Sequence, residues 1–298
     1  MDYSTMQRLI DSEAIQEQIN LLMELKAIAA QREPKPFTDY SQLTLTSLSD
    51  EWWSESNGYL TIKRLPDCGR CAGGFIQRDR GNSISPPEAL PCPHCEIPRR
   101  LFARVRHASL PLDAKGARLS DYEWDSETQQ RAIQSAKTWL TGERSTTAPN
   151  TLLHGRPGNG KTTLLYALAF AALELGLKVR YTTQTRLFDE EKDSWKGDSD
   201  SPFKTWLNGV DLLLLDELGG LGGQAQWTAW WKERSREMLG AIYERWRARK
   251  LLIVTTTNLE PKQVLNMFDS PAAASRLAEM VRAPIHMTGH DRRLAAWG

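Results

Sequence analysis

Gly155-Arg156-Pro157-Gly158-Asn159-Gly160-Lys161-Thr162 matches the phosphate-cradling pattern G-x-x-x-x-G-K-[ST] in full. Thr151–His154 before it reads as a short strand, and Thr162–Leu175 after it as a helix. The phosphates of a nucleotide then sit on a helix N-terminus, where unpaired backbone N–H groups and the helix dipole favour negative charge. Lys161 is placed to reach the β- and γ-phosphates, and the Thr162 hydroxyl to ligate Mg²⁺. Thr163, in the same first turn, completes the expected nucleotide-binding set.

Downstream, Lys178–Thr182 reads as a strand, Thr185–Asp193 as a helix, and Lys192–Pro202 as a polar surface loop. The run from Asp211 through four leucines to Asp216 and Glu217 predicts a strand covered on both faces, as in a parallel sheet. Its C-terminal acids fall where ligands bind in open α/β sheets. Asp216 is expected to hold Mg²⁺, mostly through water, and Glu217 to orient and deprotonate an attacking water. The other use of such a pair, capping the next helix, fits less well with a phosphate loop upstream. A third strand, Leu251–Thr256, ends in Thr257 and Asn258. A polar residue at that tip can lie beside a γ-phosphate, although Asn before Pro261 also suits a helix N-cap.

The chain has 298 residues, a formal net charge of +1 and eleven tryptophans, which are expected chiefly in core and partner packing. Near-neutrality gives no global field drawing it to nucleic acid or membrane. No uninterrupted apolar run is long enough to span a bilayer, and the opening MDYSTMQRLIDSE lacks a signal-peptide plan. The expectation is a cytoplasmic protein without membrane contact.

Asp2 to about Arg32 is amphipathic, with Ile15, Ile19, Leu22 and Ala29 at helical spacing, and Pro34 and Pro36 end it. Such a helix packs on its own body, self-associates or docks on a partner. All four cysteines follow as Cys68-x-x-Cys71 and Cys92-x-x-Cys95, with twenty residues between the pairs. Two knuckles at that spacing predict one tetrahedral, structural Zn²⁺. His94 inside the second knuckle is read as a neighbour of the site or an exposed side chain. Arg99, Arg100, Arg104, Arg106, His107, Lys115 and Arg118 make residues 96–119 the densest basic stretch. Two readings stand for it, a solvated linker and a contact for nucleic-acid phosphates. The expected organisation is an N-terminal helical segment over 1–50, a zinc module with basic linker over 51–119, and an ATPase domain over 120–298.

Taken together, the phosphate loop, Leu212–Glu217 with Leu218-Gly219, Ile253–Leu259 and Ser275-Arg276-Leu277 resemble the AAA+ ATPases of the DnaC/DnaI helicase-loader and IstB transposition-helper group. The resemblance covers about residues 120–298 and includes the passage Tyr243–Lys250. It implies a P-loop α/β domain, a parallel sheet flanked by helices, that binds ATP and Mg²⁺ and hydrolyses ATP. It makes Asn258 the sensor at the γ-phosphate and Arg276 the arginine finger that completes a neighbouring subunit's site, with Arg282 as its rival. Gly289-His290-Asp291-Arg292-Arg293 resembles the family's C-terminal ending, which would make Arg293 a second sensor. In DnaI-like loaders a zinc-bearing N-terminal domain binds the replicative helicase. The resemblance thus implies a loader that engages a hexameric helicase through its N-terminal region and also binds single-stranded DNA. An IstB-like helper acting with a transposase, and a nucleotide-dependent scaffold with little hydrolysis, are the alternatives. Trp227, Trp230 and Trp231 have two readings, stacking on single-stranded bases and packing or subunit contact.

Overall fold

The computed structural model describes residues 38–66, 68–78, 88–122, 150–194, 201–220, 227–248, 251–281 and 284–291, with Ser126, Glu127, Gln130, Arg131, Gln134 and Leu140. The expected N-terminal helix, most of residues 125–141, Arg282 and Arg293 lie outside the described residues. Two compact units share the chain, Met1–Ser41 with Pro66–Glu96 and Gln42–Leu65 with Ile97–Gly298.

In the larger unit, β1 (Trp53–Ser56) and β2 (Tyr59–Ile62) form an antiparallel hairpin. Asn57 and Gly58 turn it with φ of +53° and +78°, the pairing that a two-residue turn between right-twisted strands requires. The Leu60 N–H donates to the Leu110 carbonyl at 2.8 Å. Trp53 stands edge-on to Phe170 at 5.8 Å, and the Arg186 guanidinium lies 3.9 Å over the Tyr59 ring. In the smaller unit, β3 (Phe75–Arg78) and β4 (Glu88–Pro91) pair antiparallel, Phe75 opposite Pro91.

The basic stretch, read as a solvated linker or as a contact for nucleic-acid phosphates, begins with a helix, α1 (Glu96–Ala108). Pro98, Leu101, Phe102, Val105 and Ala108 form its buried stripe, while Arg100, Arg106 and His107 are exposed. The charges that draw the eye in this segment interleave with apolar residues at helical spacing, and the apolar face decides its structure. Lys115 pairs with Asp50 at 2.8 Å, and Arg118 donates to the Thr46 carbonyl at 3.2 Å. Residues 42–65 and 97–119 fall in the larger unit.

The rest of the larger unit alternates strand and helix. In order come β5 (Thr151–His154), α2 (Lys161–Glu174), β6 (Val179–Thr183), α3 (Gln184–Ser194), α4 (Pro202–Leu207) and β7 (Leu212–Asp216). Then follow α5 (Ala229–Arg247), β8 (Leu252–Thr257), α6 (Pro261–Met267), α7 (Pro271–Met280) and β9 (Ile285–His286). All five strands β5 to β9 run parallel in the order β6-β7-β8-β5-β9. The leucine run of β7 is buried throughout, as a strand covered by helices on both faces demands. Helix α2 is apolar on nearly every side and buries Leu164, Leu165, Leu168 and Leu173. Each expected strand and helix of this region is present within about two residues; the short α4 was not expected. No helix among the described residues is long and apolar enough to cross a membrane.

Phe102 is 1% exposed and meets Trp52 edge-on at 5.8 Å. Phe102→Ala is expected to destabilise the larger unit by about 3–5 kcal/mol, read by urea unfolding. An unchanged midpoint would mean that α1 is not part of this core.

Candidate nucleotide-binding site

The strand order places every expected nucleotide residue of the sheet on one edge. In the ladder, β8 lies between β5 and β7, with Thr257 opposite His154 and Thr255 opposite Leu215. At about 4.8 Å per strand, the tip of β7 and the root of the phosphate loop are about 10 Å apart. A γ-phosphate with its metal fits such a gap, and Asn258, exposed at the end of β8, borders it.

The loop is clamped on several sides. Gly160 is the N-cap of α2 at φ +87°, and the helix's first turn carries no acid and no side-chain cap. Its N–H groups are thus left for an anion. The Tyr122 hydroxyl donates to the Gly160 carbonyl at 3.0 Å, so a Cβ at Gly160 would meet that oxygen at 2.3 Å. Gly158, at φ +76°, faces the Asp291 carboxylate so closely that a Cβ would overlap it. Asn159 is buried and donates from Nδ2 to the Met287 carbonyl at 2.5 Å. The buried Lys161 ammonium donates to the Gly155 and Arg156 carbonyls at 2.8 and 2.7 Å and to Asn159 Oδ1 at 3.1 Å. The cradle therefore suits the phosphates of a nucleotide. A cavity of about 540 Å³ adjoins it, lined by Asp113, Lys115, Thr162, Thr163 and Tyr166.

Asp216 is 2% exposed and held from both neighbouring strands. Tyr181 of β6 donates its hydroxyl to Oδ2 at 2.8 Å, and Thr256 of β8 donates to Oδ1. Burial pushes the Tyr181 phenol well above its usual range, so it remains a donor. The Glu217 N–H reaches both Asp216 Oδ1 and Thr256 Oγ1 at 3.1 Å. Glu217 itself sits at φ +55°, a left-handed conformation that costs a non-glycine residue about 1–2 kcal/mol and turns the chain sharply at the strand tip. Neither Tyr181 nor Thr256 stands out in the sequence; only the strand pairing makes them partners of Asp216.

Arg276 is exposed on α7, its guanidinium 5.4 Å from the Tyr243 ring. The three tryptophans separate. Trp231 is buried against Phe188 at 5.6 Å, and Trp227 donates its indole N–H to the Gly219 carbonyl at 3.1 Å. Trp230 is the exposed one, with the Lys192 ammonium 5.2 Å from its ring.

The four cysteines converge in the smaller unit because the β3–β4 pairing brings the two knuckles together. Sulfur separations are 3.5 Å for Cys68–Cys71 and 3.6 Å for Cys68–Cys92 and for Cys71–Cys95. Disulfides need about 2.05 Å, whereas Zn–S bonds of about 2.3 Å set tetrahedral edges of about 3.8 Å. The cluster has the dimensions of a zinc site. Burial pushes the Cys71 thiol up, yet hydrogen bonds at the Cys68 and Gly74 backbone and with the Cys68 and Cys95 thiols bring it down to about 7. His94 stands beside the cluster, its Nδ1 3.6 Å from Asp39.

The IstB-like ATP binding protein family matches residues 96–282, and the chain belongs to that family. An insertion sequence ATP-binding protein of Sinorhizobium fredii is 29% identical over 196 residues, 64% of this chain and 59% of that one. The chromosomal replication initiator protein DnaA of Herminiimonas arsenicoxydans is 28% identical over 119 residues, 39% of this chain and 24% of that one. The chain thus spans between a quarter and three fifths of the length of these curated relatives. Among solved structures, DnaI superposes with a TM-score of 0.51 at 22% identity, covering 62% of this chain and 94% of that one. The DnaC helicase loader does so at 0.50 and 19%, covering 59% and 99%. These two likenesses speak for the fold, an α/β parallel sheet flanked by helices and consistent with a P-loop AAA+ domain.

Tyr181→Phe removes a donor from Asp216 without opening the core. If Asp216 holds Mg²⁺ beside a bound nucleotide, loss of such an outer partner is expected to raise the Mg²⁺ concentration at which the ion half-saturates the nucleotide complex by about tenfold. Metal-free nucleotide binding should stay as it is. An unchanged Mg²⁺ titration would leave Tyr181 with a packing role alone.

Proposed function

We propose that this member of the IstB-like ATP-binding family is an ATP-hydrolysing helicase loader acting in the cytoplasm at the start of DNA replication. The observation that carries the reading is the shared edge on which the phosphate loop, the Asp216–Glu217 pair and Asn258 meet, in a chain that also holds a separate thiol-bearing unit. Lys161 and the α2 N-terminus bind the phosphates, and Thr162 and Asp216 hold Mg²⁺, largely through water in the case of Asp216. The ion neutralises charge on the β- and γ-phosphates. Glu217 orients the attacking water and accepts its proton, while Asn258 keeps that water in line.

The resemblance of Ser275-Arg276-Leu277 to the family's arginine finger supports assembly. An exposed guanidinium supplied to a neighbouring subunit's site makes turnover depend on oligomer formation. ATP binding then gathers subunits on single-stranded DNA, and hydrolysis releases them. The N-terminal region, with Zn²⁺ held by Cys68, Cys71, Cys92 and Cys95, is assigned to the hexameric helicase. A transposition-helper role is the second reading, favoured by the similarity to the insertion sequence protein. The test uses the full chain with ATP, Mg²⁺, single-stranded DNA and the replicative helicase of the same cell. A ternary complex and helicase transfer onto closed circular DNA are expected. Failure of both, alongside binding of duplex DNA and a transposase, would favour the second reading.

Arg276→Ala is expected to lower turnover about 10³-fold or more while leaving ATP binding intact. Mixing it with Lys161→Ala, which keeps the arginine but loses the phosphate contact, should restore part of the activity. No recovery in the mixture would place Arg276 outside the neighbour's site.

A further inference from the structure

Two groups of potential metal ligands occur among the described residues: the four thiols, and a trio at the root of the phosphate loop, His154, Glu260 and His286. The trio arises from strand register. In the parallel β5–β9 pair, His154 stands opposite His286, so the two rings share one face of the sheet and stack 4.8 Å apart at 18°. On the other side His154 pairs with Thr257, and the short turn from there to α6 delivers Glu260. Pro261 in the first turn of α6 fixes the backbone that carries this carboxylate. Glu260 Oε2 lies 3.7 Å from His154 Nδ1.

His154 is 7% exposed, and its Nδ1 is buried with no hydrogen-bond partner. Buried ring nitrogens are seldom left so, and this one faces a carboxylate at a distance beyond hydrogen bonding. We propose that His154, His286 and Glu260 form a second metal site, which takes a divalent transition ion such as Zn²⁺ and leaves a coordination position open. One ligand atom from each residue lies within 4.8 Å of the others. Metal–ligand bonds of about 2.0–2.2 Å require separations of about 3.3–3.5 Å in a tetrahedral set. His286 and Glu260 are exposed and can close that difference by side-chain rotation, with His154 as the fixed base. Two imidazoles and one carboxylate suit Zn²⁺ and its late first-row neighbours and give Mg²⁺ little to prefer.

The site adjoins the loop anchor. The Met287 N–H, next to His286, donates to the His154 carbonyl at 2.7 Å, and the Met287 carbonyl accepts from Asn159 at 2.5 Å. A bound ion ties β5, β9 and the start of α6 together where the loop is fastened.

Cobalt titration of the chelator-stripped full chain tests the proposal, because the two sites differ in spectrum. The thiol cluster gives intense thiolate-to-metal charge transfer, whereas the trio adds only weak visible ligand-field bands. Wild-type protein is expected to take up a second equivalent without further charge transfer. His286→Ala and Glu260→Gln, both changes at exposed positions, should each weaken that equivalent by about a hundredfold or more, since even outer-shell losses cost about 10–100-fold. The proposal is overturned if wild type binds only the thiolate equivalent, with His154 then simply bonded to Glu260. It is equally overturned if both variants keep the second equivalent at wild-type affinity.

Discussion

The placement of β8 between β5 and β7 is the constraint on which the site depends. A parallel ladder has one C-terminal edge, so any loop leaving β5, β7 or β8 in that direction emerges beside the others. Inserting one strand between the phosphate loop and the acid pair sets their spacing by backbone hydrogen bonding rather than by side chains. The leucines of β7 and the apolar flanks of α2 hold that spacing by burial on both faces. Geometry that a nucleotide-binding site must keep to a fraction of an ångström is thereby assigned to the buried parallel sheet.

Around that frame the polar groups are pre-arranged. Asp216 enters a buried position only because Tyr181 and Thr256 donate to it from the strands on either side. A lone carboxylate there would carry a large desolvation cost. The same hydroxyls limit its rotation, so a metal at its free lone pairs meets an oriented ligand. Glu217, one residue on, leaves the strand through a left-handed turn, and its N–H satisfies the carboxylate behind it. Strain at this position is tolerated because Thr256 and the Leu218 N–H bond to the Thr256 carbonyl at 2.8 Å hold the turn in place.

Much of this was legible in the sequence. The phosphate loop is a contiguous pattern, and the strands at 151–154, 179–183, 212–216 and 252–257 are short runs rich in leucine or in β-branched and aromatic residues, of strand length. What stayed hidden involves residues that meet only through pairing. Tyr181 and Thr256 lie far in the chain from Asp216, Tyr122 from Gly160, Met287 from Asn159 and His154 from Glu260 and His286, and each is ordinary in its own context. The helix at Glu96–Ala108 went unread for a different reason. Basic residues draw attention in that segment, but burial follows the spacing of its apolar residues, and a count of arginines is blind to spacing. Arg276 shows the limit from the other side: an exposed arginine on a helix carries no structural mark of a role in a neighbouring subunit.

The smaller unit raises the question of what stabilises it. Among its described residues between 66 and 96, only Cys68, Gly74, Cys92 and Cys95 are buried, and Phe75 on its hairpin is 53% exposed. A two-stranded hairpin whose apolar face is one half-buried pair, Ile76 opposite Leu90, is marginal in water. The thiols are too far apart for disulfides, and four clustered sulfurs at van der Waals separation, three of them on buried cysteines, supply little cohesion. The proposed zinc resolves the difficulty, because binding energy of about 10 kcal/mol or more at such a site becomes folding energy. Its removal costs the larger unit none of its own hydrophobic core. On that reading the two units have separate sources of stability, metal ligation in one and strand burial in the other.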